Sequence, residues 1–163
     1  MSAIDTYLER NAEYAAGFSK GDLPIPPAGK LAVVTCMDSR MLMGALLGLA
    51  EGEAHLIRNA GGVVTEDVIR SLAISQCLMG TREIMLIQHT DCGLLAFTDA
   101  ELTETIENKT GTRPPFAMLA FADLEGNVRN SIEHLRTSPF VLHKDFIRGF
   151  VYEVETGRLR EIK

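Results

Sequence analysis

The sequence predicts an α/β fold: a central, mostly parallel β-sheet flanked by helices, with a C-terminal hairpin strand. Three observations lead there. Leu31-Ala32-Val33-Val34 and Ile84-Met85-Leu86-Ile87 are apolar at every position, as strands buried on both faces must be. The strand-like runs alternate with helix-like stretches, the order that builds parallel sheets. Near the end, two further runs flank Glu155-Thr156-Gly157, which reads as the turn of a hairpin.

The elements follow in chain order. Ile4, Tyr7, Leu8, Tyr14, Ala15 and Phe18 recur near one face at helical spacing. They give an N-terminal helical arm over about residues 1–20, with Ser2 and Asp5 as its capping pair. Gly21-Asp22-Leu23-Pro24-Ile25-Pro26-Pro27 cannot continue it, because proline lacks the donor a helix needs. Residues 30–35 form the first strand, 41–49 a short helix, and 54–58 a second strand ending in Asn59-Ala60-Gly61-Gly62. Thr65 suits an N-cap, with Glu66 and Asp67 where acidic side chains complement the helix dipole. That helix runs to about Met79 and is stopped by Gly80. Its apolar positions cover more than one stripe, so it needs covering on several sides, by the sheet and by another subunit. Residues 83–88 form the third strand. A helix starts at Gly93 and runs toward Lys109, Arg113-Pro114-Pro115 breaks the pattern, and residues 123–136 form a helix with Val128, Ile132 and Leu135 inward. Residues 147–154 and 158–162 make the terminal hairpin.

A chain of 163 residues, 46% hydrophobic, can bury one core, and residues 1–163 read as a single domain. The net charge of −6 with no cluster of Lys and Arg argues against nucleic-acid binding. The longest apolar stretch, 41–50, is too short to span a bilayer and is interrupted by Gly44 and Gly48. The first residues carry neither the basic nor the apolar region of a secretory signal. Three cysteines, an odd number in a chain too large to need staples, imply reduced thiols and a cytoplasmic setting.

Two segments carry the chemistry: Cys36-Met37-Asp38-Ser39-Arg40 and His89-Thr90-Asp91-Cys92-Gly93. Each follows directly on a buried strand, and ligand sites on parallel sheets lie beyond the carboxyl ends of the strands. His89 and Cys92, three apart, can grip a metal from one turn while Cys36 supplies a third donor. Two thiolates and an imidazole suit zinc and leave its fourth position free. Asp38 can point at that position, with Arg40 holding it by a bidentate pair. Cys77, among apolar helix positions, reads as a packed thiol. His55, His134 and His143 read as solvated surface groups, and Asp91 as a turn or supporting hydrogen bond.

With both motifs in place, the chain is similar to the β-class carbonic anhydrases, most of all to their short, compact members. Glu51-Gly52-Glu53-Ala54-His55, Ile57-Arg58-Asn59-Ala60-Gly61 and Val68-Ile69-Arg70-Ser71-Leu72 also fit that family's pattern. The resemblance implies Zn2+ on Cys36, His89 and Cys92, and reversible hydration of carbon dioxide to bicarbonate by zinc-bound hydroxide. It implies that Asp38 either pairs with Arg40, in an open state, or becomes a fourth metal ligand, in a closed one. It further implies a homodimer or dimer of dimers whose sites are lined partly by the mate. One departure is Gln88, where many members carry Gly; its side chain should point away if His89 points toward the metal.

Within that reading, the Gly93 amide is a candidate to receive bicarbonate charge. Val63, Val64, Val68 and Leu94 are candidates for an apolar approach to the site. Two thiolates cancel the charge of Zn2+, so bound water should ionise at higher pH than on three imidazoles. The hydration rate should therefore climb between about pH 6 and pH 9; a flat profile with chemistry limiting would contradict this. Two alternatives stay open: a carbonyl sulfide or carbon disulfide hydrolase on the same scaffold, and a non-catalytic zinc protein. A structural site is usually closed by four Cys or His ligands, and Asp38 is the one group available here to close it.

Overall fold

A computed structural model describes residues 2–163. Its five strands form one sheet in the order β2-β1-β3-β4-β5: β1 (Leu31–Cys36), β2 (Ala54–Asn59), β3 (Glu83–His89), β4 (Ile147–Glu153) and β5 (Arg158–Ile162). The first four are parallel, and β5 returns antiparallel on β4 through the 155–157 turn. The predicted α/β class and terminal hairpin are both observed. The chain steps from β1 outward to β2, then back across β1 to β3. The carboxyl ends of β1 and β3 therefore lie side by side where the winding reverses, the usual place for a ligand site.

The helices are α1 (Ala3–Ala16), α2 (Met43–Leu47), α3 (Glu66–Cys77), α4 (Asp99–Thr110) and α5 (Leu124–Thr137). Strand residues of alternating parity face opposite layers. Ala32, Val34, Ile84 and Leu86 pack with Val68, Ile69 and Leu72 of α3 and Val128, Ile132 and Leu135 of α5. Val33 and Ile87 face the other way, toward Met41, Met43, Val63 and Phe121. Each fully buried Leu or Ile in these layers contributes roughly 1.5–3 kcal/mol.

The predicted caps are present. Ser2 Oγ accepts from the Asp5 amide while Asp5 Oδ2 accepts from the Ser2 amide, and Thr65 Oγ1 accepts from the Val68 amide. Three local readings are corrected. Gly93–Leu95 is a single 3-10 turn, and the helix proper begins only at Asp99. Thr98 and Glu101 bond each other's backbone amides there, a capping box legible in the sequence. On α3, the inward positions beyond Leu72 are polar, Ser75 and Gln76, while Ile74, Cys77 and Leu78 are exposed. Cys77 is thus not packed within the chain. Gln76 is buried because it satisfies three backbone groups, the Leu142 and His143 amides and the His143 carbonyl. His55 is not a free surface group either: its Nδ1 lies 2.7 Å from Ser75 Oγ, which in turn contacts Thr81 Oγ1.

Candidate metal centre

Cys36 is the last residue of β1 and His89 the last of β3, with Cys92 one turn further on. Their two Sγ atoms and one imidazole nitrogen lie within 4.8 Å of one another, and all three residues are buried. His89 Nδ1 lies 2.8 Å from the Thr90 carbonyl. A carbonyl only accepts, so Nδ1 carries the proton and Nε2 keeps its lone pair. That Nε2 is buried and has no hydrogen-bond partner. A buried lone pair with no donor, facing two thiols, fits a thiophilic cation such as Zn2+.

The electrostatics point the same way. The neighbouring Cys92 thiol favours a thiolate on Cys36, with His89 helping against the cost of burial, so Cys36 is pulled below the ordinary thiol range. Cys92 is displaced upward by that partner and by burial. Burial opposes charge on His89, but the Cys36 thiolate and the Thr90 carbonyl outweigh it and raise its pKa. The metal-free pair thus shares one proton, which a cation must expel. Metal affinity is therefore expected to rise with pH through the neutral and mildly alkaline range, with proton release on binding. Calorimetry in buffers of different ionisation enthalpy measures that release; uptake with no proton displaced would contradict it.

Backbone geometry fixes the thiol positions. Gly62 adopts φ +61°, and a Cβ there would meet the Cys36 nitrogen at 2.8 Å, so only glycine lets this turn close against β1. At Gly61 (φ +78°) a Cβ would sit 2.6 Å from Leu94 Cδ1 and 3.3 Å from the Phe121 ring. Arg58 reaches over from β2, donating to the Cys36 carbonyl (2.9 Å) and the Asp38 carbonyl (2.7 Å). Arg58 received no role from sequence, although its position beside the Cys36 turn was available from strand order. Gln88 does point away: it donates to the Gly62 carbonyl and to Asn127 Oδ1 on α5.

Asp38 and Arg40 are brought together as expected. Arg40 Nε donates to Asp38 Oδ1 at 3.0 Å and Nη2 to Oδ2 at 2.8 Å, a bidentate pair. The guanidinium holds the Asp38 carboxyl far below the usual carboxylate range. Asp38 Oδ2 stands 3.8 Å from His89 Nε2, at the edge of the donor cluster. Arg40 also binds Asp91, through its carboxylate (2.7 Å) and its carbonyl (3.0 Å), the supporting hydrogen bond expected of Asp91. Val63 packs in the same apolar layer as Cys36 and Cys92, with Leu94 and Phe121 against it. Val64 and Val68 pack in the opposite layer, with α3 and α5. Gly93 opens the 3-10 turn directly after Cys92. Phe121 lies far from either motif in sequence and is placed by the Leu94 carbonyl, which accepts its amide.

The family described as "Carbonic anhydrase" matches residues 31–159, from the first strand to the start of the last one. The chain belongs to the β-class carbonic anhydrases. Beta-carbonic anhydrase 1 of Mycobacterium tuberculosis is 51% identical over 162 residues, covering 99% of each chain. The crystal structure of carbonic anhydrase from Streptococcus mutans superimposes with a TM-score of 0.95 at 44% identity, covering 100% of this chain and 99% of that one. A carbon disulfide hydrolase of an Acidianus species is more distant, 36% identical, covering 97% of this chain and 88% of its own length. The three candidate donors of this chain sit at the end of β1 (Cys36), at the end of β3 (His89) and on the turn that follows it (Cys92).

Proposed function

We propose that this protein catalyses the reversible hydration of carbon dioxide to bicarbonate and a proton, with zinc held by Cys36, His89 and Cys92. The observation that carries the reading is the convergence of two thiols and an unpartnered imidazole nitrogen beside a carboxylate that Arg40 grips on both oxygens. Zinc, when bound, supplies a Lewis acid able to make a nucleophile of water near neutral pH. The remaining work falls to the protein. His89 presents Nε2 in a fixed tautomer because Thr90 takes its other proton. Asp38, kept ionised by Arg40, accepts a hydrogen bond at Oδ2 and orients an attacking water. Arg40 occupies both Asp38 oxygens, the open arrangement of the family, in which Asp38 is not a metal ligand. Val63, Leu94 and Phe121 offer an apolar approach suited to a small linear molecule with little to hydrogen-bond. The Gly93 amide, directly after Cys92, is the candidate substrate contact; the Val64 side chain, packed in the opposite layer, is a weaker candidate than Val63.

Stopped-flow carbon dioxide hydration by zinc-loaded protein tests the proposal, with sulfide release from carbonyl sulfide and carbon disulfide measured alongside. Faster sulfide release than hydration would move the assignment to the hydrolase alternative, which the greater distance of the carbon disulfide hydrolase disfavours. An inert zinc protein would need Asp38 permanently on the metal, and the Arg40 pairing opposes that.

The reading includes a homodimer or a dimer of dimers. Helix α1 has no buried residue and exposes Ile4, Tyr7, Leu8 and Tyr14, while Tyr14 and Lys20 bond to Glu51. An exposed apolar stripe of this length suits a second copy of the chain. Sedimentation equilibrium should give at least twice the mass of the 163-residue chain; a monomer at micromolar concentration would refute it. Among the described residues no helix is long and apolar enough to cross a membrane, and two thiolate ligands favour a reducing cytoplasmic setting.

A further inference from the structure

We propose that Asp91 is a third member of the Asp38–Arg40 arrangement, a positioning residue that anchors the guanidinium and so helps keep Asp38 off the metal. The inference rests on the metal site argued above and deepens it. Arg40 distributes its donors between two acidic residues: Nε and Nη2 go to the two Asp38 oxygens, while Nη1 goes to Asp91 Oδ2 at 2.7 Å. Nη2 is also shared with the Asp91 carbonyl at 3.0 Å. A guanidinium has five N–H groups in a rigid plane. A bond at Nη1 therefore fixes the orientation of Nε and Nη2 without competing for them. Asp38 gains a second tether from the Arg40 backbone amide, 2.9 Å from Oδ1.

The position of Asp91 is itself constrained. Its backbone lies at φ +54°, a left-handed conformation that Asp and Asn tolerate and most side chains resist. The residue stands between the ligands His89 and Cys92, so its place in space is set by the same turn that builds the metal centre. Nothing else in the fold uses its carboxylate: that oxygen's sole hydrogen-bond partner among the described residues is Arg40. The side chain is largely exposed, 77% by area, and screening limits the pair to a modest energy. Loss of the carboxylate is thus expected to bias the Asp38 equilibrium, not to abolish it.

The test uses cobalt-substituted full-length protein with azide as the probe, read by visible absorption. Azide needs the position that Asp38 takes in the closed state. Asp91→Asn keeps the left-handed preference and removes the charge; Asp91→Gly removes the side chain without backbone strain. Both variants are expected to weaken the apparent azide Kd about threefold to fivefold. In an Asp38→Ala background the same substitutions should change it by less than about 1.5-fold, because no carboxylate remains to close the site. An azide Kd unchanged or tightened in both variants would overturn the inference. So would an equal weakening in the Asp38→Ala background, which would mark Asp91 as merely shaping the turn. A wild-type protein that binds cobalt and azide but hydrates no carbon dioxide would remove the proposed function, and the titration would still decide the part played by Asp91. A wild-type protein that takes up no metal would end both.

Discussion

Cys36→Ala protein is expected to bind no stoichiometric zinc and to lose carbon dioxide hydration by at least about a thousandfold in kcat/KM. That factor corresponds to the several kcal/mol of transition-state stabilisation a Lewis acid supplies. Cys36 is the donor that joins two strands: His89 and Cys92 belong to one turn, while Cys36 comes from the end of β1. Without it, two donors on one short segment remain, too few for a tetrahedral ion with three protein ligands. The fold should survive. Only one Sγ atom is removed from a buried position, comparable to about one methylene, near 0.8 kcal/mol. Metal content by mass spectrometry, thermal melting and stopped-flow rates measured on one preparation separate these effects. Undiminished zinc content or undiminished turnover would sink the site assignment.

Arg40→Ala should behave differently, and the contrast between the two variants is itself diagnostic. Arg40 offers no metal donor, so zinc content is expected to stay near that of the wild type. Turnover should fall by about 10- to 100-fold, the usual cost of removing a group that orients a metal-site residue. The reason is geometric. The Asp38 oxygens are held by Arg40 side-chain donors at 3.0 and 2.8 Å, and Oδ2 already lies 3.8 Å from His89 Nε2. Released, the carboxylate has a short path to the donor cluster. Arg40→Lys should recover little, because an ammonium cannot span both oxygens in one plane. A variant with full zinc and full kcat/KM would show that the pair is an ordinary surface contact.

Much of the site was legible without coordinates. The two motifs each follow a uniformly apolar strand, and a parallel sheet sends such strand ends to one side; that was enough to bring Cys36, Asp38, Arg40, His89 and Cys92 together. Gln88 could be assigned to the opposite face because side chains alternate along a strand. Less was legible where polar groups are satisfied at long range. Arg58 matters through two carbonyls of a neighbouring turn, and Gln76 through a loop 66 and 67 positions away. Apolar periodicity carries no trace of either. Cys77 and His55 were misplaced for a related reason: on α3, polar Ser75 and Gln76 take inward positions, so the apolar count mislocated the buried stripe. The start of α4 was a missed local signal, Thr98 with Glu101.

What the chain alone determined was the class of sheet, the order of its elements, and three donors whose chemistry suits one kind of ion. Apolar runs, caps and residue types are local properties, and local properties can be read along a line. Folding decided which residues support those donors: Arg58 beneath the Cys36 turn, Phe121 against Leu94, Gly62 pressed on β1, and Asp91 sharing the guanidinium of Arg40. Such contacts join segments tens of positions apart, and their hydrogen bonds exist only once the strands lie side by side.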